Sequence, residues 1–195
     1  MTAEEFVAPI YERVSVGTPG MFARSSAWWQ ARTLVDPDWR RGSAGDLQCA
    51  VVENEGRPAG YALYRMNSAF ERGLQTGSVA VIEAMGDSPE ATRAIWRYLF
   101  DIDWLPRVKA RLLPLDHPLL LMMAEPRRLG FSLRDGLWVR LLDVKAALSA
   151  RSYRAQSSLV IEVTDEFLPV ERRSLEGRLR PRRTHGRSAR SALRH

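Results

Sequence analysis

The sequence predicts an α+β protein built on a mixed, mostly antiparallel sheet with helices on both faces. Three observations support this fold class. Two helical patterns open the chain, three strand-like segments then follow as a meander, and helices and strands alternate after them. The chain is 45% hydrophobic, enough for a normal core, and its charge of +6 comes from its last 26 residues, since residues 1–169 carry about −1.

The first two elements are predicted to be helices. Thr2 and Glu5 have the spacing of a capping box, and apolar residues recur at helical spacing as far as Val14. Pro9 predicts either a kink or the start of a second helix. A further helix runs to Val35 and carries two adjacent tryptophans. These are Trp28 and Trp29. Because adjacent helical residues point about 100° apart, one of the two is predicted to lie in the core and the other at an interface.

Three strands are predicted to follow as a meander. Segments 47–53 and 60–66 are strand-like, and the polar stretch between them contains the Gly and Pro that turns favour. The third segment, 78–85, is nearly all apolar or small, as expected of a central strand. The single cysteine, Cys49, excludes an internal disulfide and is predicted to be a buried core thiol.

After the meander, helices and strands are predicted to alternate. Ser88 is a favoured helix cap and Pro89 a favoured first residue, so a helix is predicted as far as Phe100. A short strand is predicted over 108–113. The remaining predicted elements are a short helix over 118–129, a long or bent strand over 131–142, a helix over 144–150 and a strand over 158–164.

A resemblance to a bacterial family rests on two segments, GLWVRLLDV at 136–144 and LVIEVTDEFLP at 159–169, with Arg151 and Tyr153 between them. The chain resembles the enhanced intracellular survival (Eis) family of GNAT N-acetyltransferases. Members of that family join a catalytic GNAT domain, a second GNAT-like domain and a sterol-carrier-protein-like domain. The resemblance implies a GNAT-like, non-cofactor-binding domain over 1–155 and the start of a sterol-carrier-protein-like domain over 156–169.

The same resemblance indicates where acetyl-CoA would bind. A GNAT cofactor loop follows a strand with the pattern Arg/Gln-x-x-Gly-x-Gly/Ala, and its N–H groups hold the pyrophosphate at a helix N-terminus. The equivalent loop here is EAMGDSPE, residues 83–90. Pro89 has no N–H, and Asp87 and Glu90 would repel a phosphate, by about 4 kcal/mol for two unit charges about 4 Å apart. We therefore expect acetyl-CoA to serve the complete family enzyme, and none to bind this chain.

Candidate site residues are few. The family's substrates are polycationic amines such as aminoglycosides, so Glu162 and Asp165, acids near the end of an apolar strand, are candidate substrate-pocket residues. For each of them the alternative is a turn or capping carboxylate. No catalytic residue is assigned, because the serines and His117 lack the spacing of a nucleophile and its base. The three scattered histidines predict no metal site.

Residues 170–195 form a strongly basic tail, with nine Arg and two Glu, whose composition predicts disorder. A second hypothesis is a shift of reading frame after Pro169. A permitted back-translation of residues 170–177, read one nucleotide later, gives Trp-Asn-Glu-Gly-Arg-Trp-Lys, which has the chemistry of a turn and strand. The alternative is a native tail that contacts nucleic acid or an acidic surface. The nucleotide sequence of the gene distinguishes these hypotheses.

Together these observations predict a fragment of an acetyl-CoA-dependent N-acetyltransferase of amine substrates, inactive alone because the family's catalytic groups lie in its first domain and terminal carboxylate. The alternatives are a stand-alone, non-catalytic binding module and a nucleic-acid binder acting through the Arg-rich tail, which we consider the weaker. The complete enzyme is expected to be a homo-oligomer. No apolar run approaches the roughly 20 residues that span a bilayer, and the acidic N-terminus is unlike a signal peptide, so a cytoplasmic location without a membrane partner is predicted.

Overall fold

The computed structural model of the chain describes residues 2–153, 157–163 and 173–179. The chain divides into two compact units, with the boundary after Phe131. This boundary comes earlier than the domain boundary after residue 155 that the family resemblance predicts. The functional domain assignment stays a prediction.

The first unit is a mixed sheet with helices on both faces, which confirms the predicted α+β, GNAT-like fold class. Its sheet has four strands in the order β1-β2-β5-β6, and a separate two-stranded hairpin, β3-β4, lies between β2 and β5 in sequence. In chain order the elements are α1 (Ala3–Gly17), α2 (Ser26–Trp28) continued by a π-helical turn (Trp29–Thr33), α3 (Asp38–Arg41), β1 (Gln48–Asn54), β2 (Arg57–Asn67), β3 (Phe70–Glu71), β4 (Leu74–Gln75), β5 (Ser78–Gly86), α4 (Pro89–Phe100), β6 (Val108–Ala110), α5 (Leu119–Met122) and a 3₁₀ turn (Pro126–Leu129).

The β1–β2 hairpin has a tighter turn than the sequence predicts. Only two residues, Glu55 and Gly56, connect the strands, and both have positive φ, at 52° and 74°. This is the conformation that two-residue hairpin turns require, and Gly56 adopts it without a steric cost. The strands are antiparallel, with Ala50 opposite Ala62.

Strand β2 lies at the centre of the core, and its alternate side chains separate two clusters. Tyr61 and Leu63 pack with α1 and Trp29 on one face. Ala62 and Tyr64 pack against α4 on the other. Since successive strand residues point to opposite faces, this alternation places one helical layer on each side of the sheet.

The N-terminal helices largely follow the sequence prediction. The Glu5 carboxylate accepts the Thr2 N–H at 3.2 Å, and α1 continues through Pro9 without a second helix beginning there. Trp29 is 1% exposed and Trp28 is 52% exposed, so the prediction that one of the two tryptophans lies in the core is confirmed, while the interface role of the other stays a prediction.

Four predictions about the first unit and its border need correction. Strand β6 ends at Ala110, because Leu112 takes a left-handed φ of 59° that a strand does not contain. The helix predicted over 118–129 breaks at Met123, which is extended, before Pro126 starts the 3₁₀ turn. Cys49 is exposed on the edge strand β1 rather than buried. Residues 131–142 form neither helix nor strand.

The missing strand over 131–142 has a physical reason. Its alternating apolar side chains, Leu137, Val139 and Leu141, are all exposed, and no described strand pairs with this segment. A strand needs a neighbour to satisfy its backbone N–H and C=O groups, so alternation without a partner does not produce one.

The second unit contains α6 (Val144–Ala150), β7 (Ser157–Val163) and β8 (Arg173–Leu179). The Asp143 carboxylate caps α6 by accepting the Ala146 N–H at 2.8 Å. Strands β7 and β8 pair antiparallel. Strand β8 lies inside the range for which the sequence predicts disorder or a shifted frame, and the rest of that range lies outside the described residues, so that assignment stays a prediction.

Candidate functional site

The sheet opens at the carboxyl end of its one parallel pair. Strands β5 and β6 pair only from Val79 opposite Val108 to Val81 opposite Ala110, while β5 continues past β6 to Gly86, paired with β2 along its other edge. A bulge in β5 places Ile82 between the pairs Tyr64–Val81 and Leu63–Glu83, and Ile82 is exposed. Ligands of open sheets bind beyond the carboxyl ends of parallel strands, so this end, with the N-terminus of α4 beside it, is the candidate site.

The glycine of the candidate loop is packed against protein rather than facing open space. A Cβ atom built on Gly86 would lie 2.4 Å from the Thr92 backbone N and 2.8 Å from the Ala91 backbone C. The space that a glycine usually leaves for a phosphate is therefore occupied by the first turn of α4.

The N–H groups at the start of α4 are partly used or absent. The Ser88 hydroxyl accepts the Ala91 N–H at 3.1 Å, as the sequence predicts for a cap. Pro89 is the first helical residue and has no N–H. Two of the four positions that a helix N-terminus offers to an anion thus cannot bond one.

The Asp87 carboxylate has a different role from the one predicted. Arg13 of α1 donates to it at 2.8 Å and Arg57 of β2 at 3.0 Å, and the Asp87 side chain is largely buried. Arg13 also donates to the Pro58 carbonyl at 2.5 Å. Asp87 therefore links α1 and β2 to the loop. Because the two arginines balance the charge of Asp87, the expected repulsion of a phosphate would come mainly from the exposed Glu90.

A buried ionic cluster lies on β5, three residues before Gly86. Arg24, from the segment between α1 and α2, binds the Glu83 carboxylate with two parallel hydrogen bonds of 3.0 and 2.7 Å. The two side chains are 17% and 16% exposed. The Tyr61 hydroxyl also donates to Glu83, and it lies 3.6 Å from the Met85 sulfur. In the cofactor pattern Glu83 stands where Arg or Gln is required.

The charge state of this cluster follows from its contacts. Burial alone would lower the pKa of Arg24, but the hydrogen bonds to Glu83 and the charge of Glu83 together outweigh it, so the pKa of Arg24 lies above its usual value. Burial, and then the charge of Glu83, raise the pKa of Tyr61 well above its usual range. Tyr61 therefore stays protonated and donates to Glu83, and the guanidinium stays charged. A carboxylate held in this way is not a free general base.

Of the two residues predicted as substrate-pocket acids, one belongs to the second unit and the other lies outside the described residues. Glu162 lies on β7 in the second unit with an exposed side chain, and Asp165 lies outside the described residues. Their role stays a prediction. Among the described residues no group of three or more His, Cys, Asp or Glu side chains could hold a metal ion. No helix in the described part of the chain is long and apolar enough to cross a lipid bilayer.

Sequence reasoning missed the two arginine–carboxylate clusters. Glu83 is the sequence feature from which one of these clusters could have been predicted, because it is the one carboxylate in the otherwise apolar or small segment from Ser78 to Gly86. A lone charge in a central strand needs a partner. The partner, Arg24, is 59 residues away in sequence, and no local pattern identifies it.

Comparisons with known proteins agree with the fold class and show the family. A family model described as an acetyltransferase (GNAT) domain matches residues 20–141. An uncharacterized N-acetyltransferase of Streptomyces avermitilis is 41% identical over 160 residues, which are 82% of this chain and 39% of that protein. The N-acetyltransferase Eis of Mycobacterium tuberculosis is 32% identical over 165 residues, 83% of this chain and 38% of that protein. The crystal structure of Eis1 from Mycobacterium abscessus superposes with a TM-score of 0.62 at 31% identity, covering 87% of this chain and 41% of that one. The chain thus spans about two fifths of the length of these relatives.

Proposed function

Because this chain belongs to the acetyltransferase (GNAT) family, we propose that it is a GNAT-fold domain that does not bind acetyl-CoA and that serves within an N-acetyltransferase of amine substrates. The observation that carries the proposal is the loop between β5 and α4. The first turn of α4 occupies the space beside the glycine of this loop. Ser88 caps the start of the helix, and Pro89 provides no N–H there. The cofactor of the complete enzyme is acetyl-CoA, bound elsewhere.

The similarity to Eis proteins supports a proposal for the substrate class. We extend the proposal to polycationic amines of the aminoglycoside type, acetylated by a cytoplasmic homo-oligomer. Glu162 and Asp165 remain the candidate residues of this chain for holding an ammonium group, because a carboxylate accepts charge-assisted hydrogen bonds from such a cation.

Calorimetry of the full chain with acetyl-CoA at millimolar concentration tests the proposal. We expect no saturable heat. A dissociation constant below about 100 μM, or roughly −5.5 kcal/mol, would overturn it. The same titration with a GNAT acetyltransferase that has the glycine-rich loop is the positive control. Thermal unfolding of the sample after titration shows that the protein was folded throughout.

A further inference from the structure

The Arg24–Glu83 cluster has the parts of a binding site as well as those of an ion pair. The Arg24 guanidinium carbon lies 3.9 Å from the centre of the Tyr11 ring and 4.8 Å from the centre of the Trp29 ring. These two rings pack edge to face, with centroids 5.3 Å apart. A carboxylate and two aromatic faces around one planar cation are the groups that recognise organic cations.

The walls of this cluster and its occupant come from different parts of the unit. The walls are carried by α1, the π-helical turn, β2 and β5, in the residues Tyr11, Trp29, Tyr61 and Glu83. Tyr11, Trp29 and Tyr61 are buried. Arg24 comes from residues 18–25, which form neither helix nor strand. Removing the Arg24 side chain therefore leaves the walls on regular elements.

The wall side chains also make hydrogen bonds that do not involve the Arg24 side chain. The Tyr11 hydroxyl donates to the Phe22 carbonyl at 2.8 Å, and the Tyr61 hydroxyl donates to Glu83. Glu83 sits in the β2–β5 ladder opposite Leu63. Without Arg24, the cluster would present a mostly buried carboxylate with no cation, an arrangement that strongly favours uptake of one.

We propose that Glu83, Tyr11 and Trp29 form a binding site for an organic cation of the guanidinium class, and that Arg24 fills this site as an internal occupant. The site is self-occupied, so the intact chain takes no external guanidinium there. The proposal does not depend on whether the chain binds acetyl-CoA.

Chemical rescue of Arg24→Ala in the full chain is the experiment. The variant is expected to unfold about 10 °C below the wild type, since a buried carboxylate loses its partner. N-ethylguanidinium at low millimolar concentrations is expected to raise its midpoint, by about 3 °C at ten times the dissociation constant and logarithmically with concentration beyond it. The wild type should show no such rise. N-ethylurea, which has the same shape without the charge, should have no effect on either.

Two matched variants test the specificity of the rescue. Arg13→Ala removes an arginine that also binds a carboxylate, Asp87, but leaves that carboxylate paired with Arg57, so ethylguanidinium should not raise its midpoint. The Glu83→Gln substitution in the Arg24→Ala background should abolish rescue. Equal rescue of the Arg13 and Arg24 variants, rescue by ethylurea, or no rescue at all would overturn the proposal.

A measurement on the wild type covers the case in which Arg24→Ala does not fold. Nuclear magnetic resonance of the arginine side chains should show restricted rotation of the Arg24 guanidinium and a ring-current shift from Tyr11 and Trp29. Arg93, which is exposed on α4, is the reference for free rotation. Free rotation of Arg24 would show that it does not occupy a site and would refute the inference.

Discussion

Replacing Gly86 by alanine tests whether the candidate loop has space for a phosphate. The added Cβ atom would lie 2.4 Å from the Thr92 backbone N, 2.7 Å from the Thr92 hydroxyl and 2.8 Å from the Ala91 backbone C. Carbon atoms pack at about 3.5–4.0 Å, so the first turn of α4 would have to move by about 1 Å. The movement would disturb the Ser88 cap and the Thr92–Ser88 hydrogen bond of 3.0 Å.

The expected cost of Gly86→Ala is large. Overpacking costs about 1–3 kcal/mol, and a clash with backbone, which cannot change rotamer, belongs at the upper end. A loss of about 3 kcal/mol is a large part of the roughly 5–15 kcal/mol that stabilises a domain. For a unit of this size it lowers the unfolding midpoint by about 10 °C.

Thermal and urea unfolding of the full chain, followed by circular dichroism, measure this loss. Gly17→Ala is the control, because Gly17 ends α1 and nothing lies within 4 Å of a Cβ atom built there. We expect the control to stay within about 2 °C of the wild type. If Gly86→Ala unfolds as close to the wild type as the control does, the loop has open space. The argument that it cannot cradle a phosphate would then be refuted.

Two further predictions concern the core and acid stability of the first unit. Trp29→Ala should lower the free energy of unfolding, measured by urea titration, by about 3–5 kcal/mol, and Trp28→Ala should lower it by under about 0.5 kcal/mol, because of the two only Trp29 is buried. Similar losses would mean that the two side chains are not divided between core and surface. The Asp36 carboxylate accepts hydrogen bonds from Arg65 and from the Leu47 N–H, which lower its pKa from 3.8 to about 2. The contribution of the ionised Asp36 carboxylate to folding stability is therefore complete above about pH 4 and disappears as the pH falls through about 2. The difference in stability between the wild type and Asp36→Asn, measured by urea unfolding at each pH, should shrink over that range. A difference independent of pH would contradict the assignment.

Much of the fold follows from local sequence patterns. Ser88 and Pro89 start α4 where they were expected to, because capping depends on groups within one turn. The strands β1, β2 and β5 and the helix α6 lie within two or three residues of their predicted bounds. The eight residues of the loop also show three departures from the cofactor pattern: they lack its Arg or Gln, its second glycine, and an N–H at Pro89.

The sequence by itself therefore determined the mixed fold class and the family, and it predicted a loop unsuited to a phosphate. Only the tertiary structure decided that Arg24 meets Glu83, that Arg13 meets Asp87, and that α4 fills the space at Gly86. It also decided that residues 131–142 have no strand partner among the described residues. The physical reason is range: caps, turns and periodicity act over about four residues, whereas ion pairs, close packing and strand pairing join groups whose distance along the chain carries no local sign.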